Sequence, residues 1–294
     1  MKDLRGSIVP IVTPFADGQV DYDGLAALIE WQIQSGSHGI SVTGTTGEPS
    51  SLSLEERKQV IKVACETVAG RVPFVPGTGS VNHAETLELS RYAEKLGADA
   101  VLVIAPYYVR PSQEGLFRHF DAVAKSVDIP VILYNIPGRT AVNIEIDTVA
   151  RLKEANANIV GVKESNKDFE HINRLLHCMG RDFLVYSGIE LLCFPILAIG
   201  GAGFVSATGN LLPDQVARLY NLVREGRWQE AQDLHYWLLP LNDAVFLEIN
   251  PVPVKTILGM MGKIRPEVRL PLAPVSPANR AKLEVIARQY GLIS

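Results

Sequence analysis

Eight short apolar runs, each followed by a longer amphipathic stretch, constrain this chain more than any other feature it has. They lie at residues 7–13, 39–43, 73–77, 100–105, 131–135, 159–163, 183–187 and 203–207, and none alternates its apolar residues with charge. A strand that is apolar on both faces must be covered on both, which is how parallel strands read in a sheet wrapped by helices. Between the runs, residues 21–34 carry Leu25, Leu28, Ile29 and Ile33 at helical spacing, and residues 53–68 open with Ser53 three places before Glu56, a capping box. Strand then helix, eight times over, predicts an α/β fold: a closed (β/α)8 TIM barrel of about 250 residues.

An open doubly wound sheet uses the same alternation, but the glycines oppose it. Its dinucleotide fingerprint belongs after the first strand, whereas the dense cluster here, Gly200, Gly201 and Gly203, precedes the eighth run. Gly47 is not followed by Lys-Ser/Thr either, so residues 44–48 are no P-loop. Further helical stretches at 228–239, 253–261 and 277–290, parted by prolines, exceed what eight units need. The expected division is therefore a barrel over 1–225 and a C-terminal helical region over 226–294.

Several classes of function are excluded by composition. A formal charge of -4 offers no basic surplus for nucleic acid. The three cysteines form no C-x-x-C pair and the six histidines show no ligand spacing, so no metal site is expected. No run approaches the roughly 18 apolar residues of a membrane helix. Residues 1–15, which include Pro10 and Pro14, lack the pattern of a signal peptide, so a cytoplasmic protein is expected.

In barrels of this kind the chemistry sits at the carboxyl ends of the strands, so the polar residues just past each run form one set. They are Thr45 and Thr46 after the second run, Tyr107 and Tyr108 after the fourth, Tyr134 and Arg139 with the fifth, Lys163 and Glu164 with the sixth, and Ser187 and Gly188 with the seventh. A lysine at the mouth of a buried strand is placed for amine chemistry once its neutral form is favoured. Phenols, hydroxyls and an arginine beside it are the parts needed to form an imine, move protons and hold carboxylates. Taken singly, the residues also have plainer readings: a solvated lysine, a threonine turn, an aromatic packing pair, a loop cation.

Together they carry a resemblance. The segments 6–15 (GSIVPIVTPF), 44–48 (GTTGE), 106–113 (PYYVRPSQ), 134–140 (YNIPGRT), 161–164 (GVKE) and 250–255 (NPVPVK) resemble, over most of the chain, the dihydrodipicolinate synthase and N-acetylneuraminate lyase family of class I pyruvate aldolases. The resemblance implies that Lys163 forms an imine with pyruvate, so that no cofactor is needed beyond that covalent link. It implies that Tyr134 handles protons there, with Thr45 linking Tyr134 to Tyr108 of a neighbouring subunit in a homotetramer built as a dimer of dimers. Thr46 would hold the pyruvate carboxylate, Gly188 and the backbone at Val205 would shape the pocket, and Arg139 would grip the carboxylate of a small aldehyde acid. The first activity implied is the synthase reaction of lysine biosynthesis, pyruvate with aspartate semialdehyde. The stretch Ser165-Asn166-Lys167-Asp168 and the pair Ile189-Glu190 depart from the synthase pattern, where an acidic pair is common at the latter. They resemble the 2,4-dihydroxyhept-2-ene-1,7-dioate aldolase branch, which releases pyruvate and succinate semialdehyde, and this is the alternative. A catalytically silent barrel that binds a keto acid is the non-enzyme alternative.

Overall fold

A computed structural model describes residues 2–294. Its main sheet holds seven parallel strands: β1 (Gly6–Pro10), β4 (Gly39–Ser41), β5 (Val101–Ile104), β6 (Val131–Asn135), β7 (Ile159–Glu164), β8 (Leu184–Ser187) and β9 (Gly203–Val205). They are ordered β4-β1-β9-β8-β7-β6-β5. A separate hairpin, β2 (Phe15–Ala16) with β3 (Gln19–Val20), turns through Asp17 and Gly18, both at positive φ as a tight primed turn demands.

The third apolar run closes the circle without forming a regular strand. Phe74 bridges to Ile40 of β4 and Gly77 to Leu102 of β5, with Val75 N–H donating to Ile40 and Leu102 N–H to Pro76. Pro73 and Pro76 have no N–H to give, so the ladder on this stave is interrupted where a uniform strand was expected. Eight staves nevertheless enclose one interior.

Around them run α1 (Tyr22–Gln34), α2 (Leu54–Val68), α3 (His83–Leu96), α4 (Gln113–Ala124), α5 (Pro137–Thr140), α6 (Ile146–Ala155), α7 (Phe169–Met179), α8 (Cys193–Ala198) and α9 (Pro213–Arg224); α10 (Trp228–Ala244), α11 (Val252–Met260) and α12 (Pro277–Gln289) follow. The box at α2 forms as its sequence foretells, with Ser53 Oγ accepting from Glu56 N–H and Glu56 accepting from Ser53 N–H. Helix α10 departs from expectation, because it runs through Pro240 and not up to it. An interior proline costs about 3 kcal/mol, but Leu234, Leu238, Leu241 and Ala244 continue one buried stripe across it, and each buried leucine contributes about 1.5–3 kcal/mol.

Two apolar layers result. Inside the barrel, Ile8, Val75, Leu102, Ile132, Tyr186 and Val205 pack together. Outside it, residues such as Val9, Ile40, Val103, Leu133 and Val162 face the surrounding helices. Because successive side chains alternate, Lys163 points into the barrel on β7 while Val162 points outward.

Candidate active site

Lys163 sits in register with Tyr134 of β6 on one side and Tyr186 of β8 on the other. Only 6% of it is exposed, and its Nζ lies 4.1 Å from the centroid of the Tyr134 ring. The Tyr134 hydroxyl is 3.3 Å from Thr45 Oγ1. Burial on its own would push this phenol upward, but the charge of Lys163, with hydrogen bonds from Thr45, Ser165 and Lys163, outweighs burial and holds it below its ordinary value. A phenol so tuned can exchange a proton with the amine beside it.

Thr45 and Thr46 lie on a short helical turn just past β4, entered through Thr43 at φ 54 and left through Glu48 at φ 54. A β-branched residue in the left-handed region is strained, and Thr43 is held there by its hydroxyl, which donates to the Gly77 carbonyl at 2.8 Å. At the far end Glu48 is buried against Lys255 of α11, Oε1 to Nζ 2.5 Å, and Lys255 in turn lies over the Phe15 ring. Burial pushes the Glu48 carboxyl up and the Lys255 amine down, and the attraction between them opposes both shifts. Asn250 adds a second tie, its Nδ2 donating to Thr46 Oγ1 at 3.0 Å.

A cavity of about 240 Å³ opens on this turn, bordered by Thr45, Tyr107, Tyr134, Arg139 and Asn250. Arg139, on the short helix α5, donates to the Asn250 carbonyl at 3.3 Å and otherwise faces the open space. Lys163, Thr46, Gly188 and Val205 do not border the cavity; Tyr134 is shared, touching Lys163 and lining the space. Gly188 borders Lys163 from the other side: a Cβ there would meet Lys163 Cε at 2.7 Å and collide with the Ser165 hydroxyl. Val205, on β9, is buried inside the barrel. The structure thus brings Lys163, Tyr134, Thr45, Thr46, Gly188 and Arg139 to one end of the barrel. It does not bring Tyr108, which is 90% exposed at φ 71, while Tyr107 beside it turns to the cavity.

A model of the dihydrodipicolinate synthetase family matches residues 3–290. The chain belongs to that family. A 4-hydroxy-tetrahydrodipicolinate synthase of Thermus thermophilus is 49% identical over 291 residues, covering 99% of this chain and 97% of the relative. The dihydrodipicolinate synthase of Aquifex aeolicus superposes with a TM-score of 0.97 at 42% identity, covering 98% of this chain and 99% of that one. The chloride-inhibited dihydrodipicolinate synthase of Acinetobacter baumannii, solved with pyruvate, gives 0.95 at 40% identity over 99% of this chain and all of that one. Like these neighbours, the chain is a (β/α)8 barrel with C-terminal helices.

Family motifs in the sequence did not reveal how the site is held together. Glu48 and Lys255 each lie inside a motif, yet their pairing spans 207 positions and shows only in the folded chain. Glu164, next to Lys163, is driven upward by burial and receives Asn135 Nδ2 at 3.1 Å; it holds His171, 3.6 Å away, above its usual value. Glu164 closes β7 and His171 lies in the first turn of α7, so no helical spacing joins them and the sequence carried no signal for the pair. Glu190 is buried, accepts from Ala207 N–H at 2.7 Å, and is likewise pushed up by burial. Among the described residues no cluster of three or more His, Cys, Asp or Glu could hold a metal ion, and no helix is long and apolar enough to cross a membrane.

Proposed function

We propose that this chain is a 4-hydroxy-tetrahydrodipicolinate synthase, joining pyruvate to aspartate semialdehyde through an imine on Lys163. The observation that carries the reading is the line from Lys163 to Tyr134 to Thr45, with Arg139 on the same cavity. Tyr134 takes a proton from the Lys163 ammonium, and the free amine adds to pyruvate C2 and expels water. The protonated imine draws electrons from C2, a C3 proton leaves, and the enamine forms a carbon-carbon bond with the aldehyde, whose oxygen takes up a proton. The amine of the second substrate then attacks C2, closes the ring and releases Lys163. Thr46 holds the pyruvate carboxylate, Arg139 that of the aldehyde, and Gly188 with the backbone at Val205 leaves room for the imine.

Tyr108 is assigned to a neighbouring subunit of a homotetramer. Strained backbone that displays a whole tyrosine to solvent is an expense without return inside one chain. A cytoplasmic setting suits the three unpaired cysteines.

Borohydride added with pyruvate should leave a stable mass increment on Lys163, and Lys163→Ala should lose nearly all turnover while remaining folded. Labelling elsewhere, or none, ends the imine mechanism. A coupled assay with each semialdehyde then decides the partner. The second reading is 2,4-dihydroxyhept-2-ene-1,7-dioate aldolase, whose branch the segments Ser165-Asn166-Lys167-Asp168 and Ile189-Glu190 resemble; cleavage to succinate semialdehyde faster than condensation with aspartate semialdehyde would establish it. Imine trapping without turnover of either aldehyde would leave the silent keto-acid binder.

A further inference from the structure

Asn250 stands just before α11, and both carboxylate grips of the site meet on it. Its side-chain Nδ2 donates to Thr46 Oγ1 at 3.0 Å, and its backbone carbonyl accepts from Arg139 Nη2 at 3.3 Å. The residue is 7% exposed and borders the cavity, and its amide oxygen is buried without a partner.

A threonine hydroxyl has one hydrogen to give and two lone pairs to offer. With a lone pair taken by the Asn250 amide, the hydroxyl hydrogen must turn elsewhere, and among the described residues no protein acceptor receives it. The carboxylate of a keto acid is an acceptor only, so it pairs with that free hydrogen. A side chain that accepted at Nδ2's place would reverse the polarity and draw the hydrogen away from the substrate.

We propose that Asn250 is a positioning residue with two separable duties. Its side chain aims the Thr46 hydroxyl as a donor at the keto-acid carboxylate; its backbone carbonyl fixes Arg139 for the carboxylate of the aldehyde. The inference rests on the roles given to Thr46 and Arg139 above and deepens that reading.

The two duties sit on different atoms, so substitution separates them. In the purified full-length enzyme, Asn250→Ala should raise the half-saturating pyruvate concentration, read both as KM and as the concentration needed for borohydride trapping at Lys163, by roughly two- to tenfold, the range of one neutral hydrogen bond. Asn250→Asp, equal in shape, should raise it further, because a carboxylate accepts the Thr46 hydrogen and repels pyruvate. The KM for the aldehyde should stay near wild type in Asn250→Ala, since the backbone carbonyl remains and no charge is added. Thr46→Val, which removes the donor itself, should raise the half-saturating pyruvate concentration at least as far as Asn250→Ala, and the double variant should be no worse than Thr46→Val alone, as for residues acting as a unit. Unchanged pyruvate saturation in both Asn250 variants, an equal rise for both substrates in Asn250→Ala, or multiplying effects with Thr46→Val would each overturn the proposal. Failure to trap the wild-type enzyme would instead remove the imine reading beneath it.

Discussion

Gly188 shows how tightly single residues are constrained at this site. Its backbone is not left-handed, so space and not conformation requires glycine: the first carbon of any side chain would collide with the Ser165 hydroxyl and come within 2.7 Å of Lys163 Cε. Gly188→Ala should displace the amine by a fraction of its length, and a misplacement near 1 Å costs about a hundredfold in rate. Turnover and the rate of borohydride trapping should fall together while the melting temperature hardly moves; retained trapping would mean the lysine can step aside. Residues of this scale were legible in the sequence where their chemistry was out of place, as for Lys163 and Tyr134 at the ends of apolar strands. Where two like residues stood together, as in Tyr107-Tyr108, only the backbone decides which one lines the cavity, and positive φ at Tyr108 had no sequence signal, since tyrosine is not a residue that announces it. Asn250 lay in a recognised motif, but its partners Thr46 and Arg139 come from other loops.

Elements were legible by their apolar periods. All eight staves fell on the expected runs, and the miss at residues 73–77 concerned regularity alone, because prolines that end a hydrogen-bonded ladder do not prevent the chain from filling its place. Hidden from periodicity are the ties between elements. Arg269, beyond α11, reaches Glu56 in the first turn of α2 by two bonds of 2.7 and 2.9 Å. That guanidinium, together with the capping contacts to Ser53, lowers the Glu56 carboxyl to about 2 from a starting 4.5. A carboxyl depressed on folding contributes stability above its unfolded value, and that contribution drains away as the pH falls from about 4.5 towards 2. Glu56→Gln should therefore melt lower than wild type at neutral pH, by roughly 2–4 °C for a tie worth about 1 kcal/mol. The gap should close as scans are taken at progressively lower pH, and a gap that persists to pH 2 would show that charge is not its source.

At the scale of the whole molecule, the exposure of Tyr108 bears on whether one chain suffices. If it completes a neighbour's proton path, two separately inactive proteins, Lys163→Ala and Tyr108→Phe, should regain part of the activity once their subunits exchange. A monomeric species as active as the assembly would contradict that. The buried pair of Glu48 and Lys255 adds a matter of timing. Burying Glu48 without its cation leaves a bare carboxylate, which costs about 3–5 kcal/mol, so the turn bearing Thr45 and Thr46 has reason to stay open until Lys255 arrives. On a ribosome adding about 5–20 residues per second, the 207 positions between them take roughly ten to forty seconds. The nascent barrel is thus furnished with its lysine and its tyrosine well before the turn that is to clasp a keto acid can settle, an interval set by the ribosome's pace and not by the barrel itself.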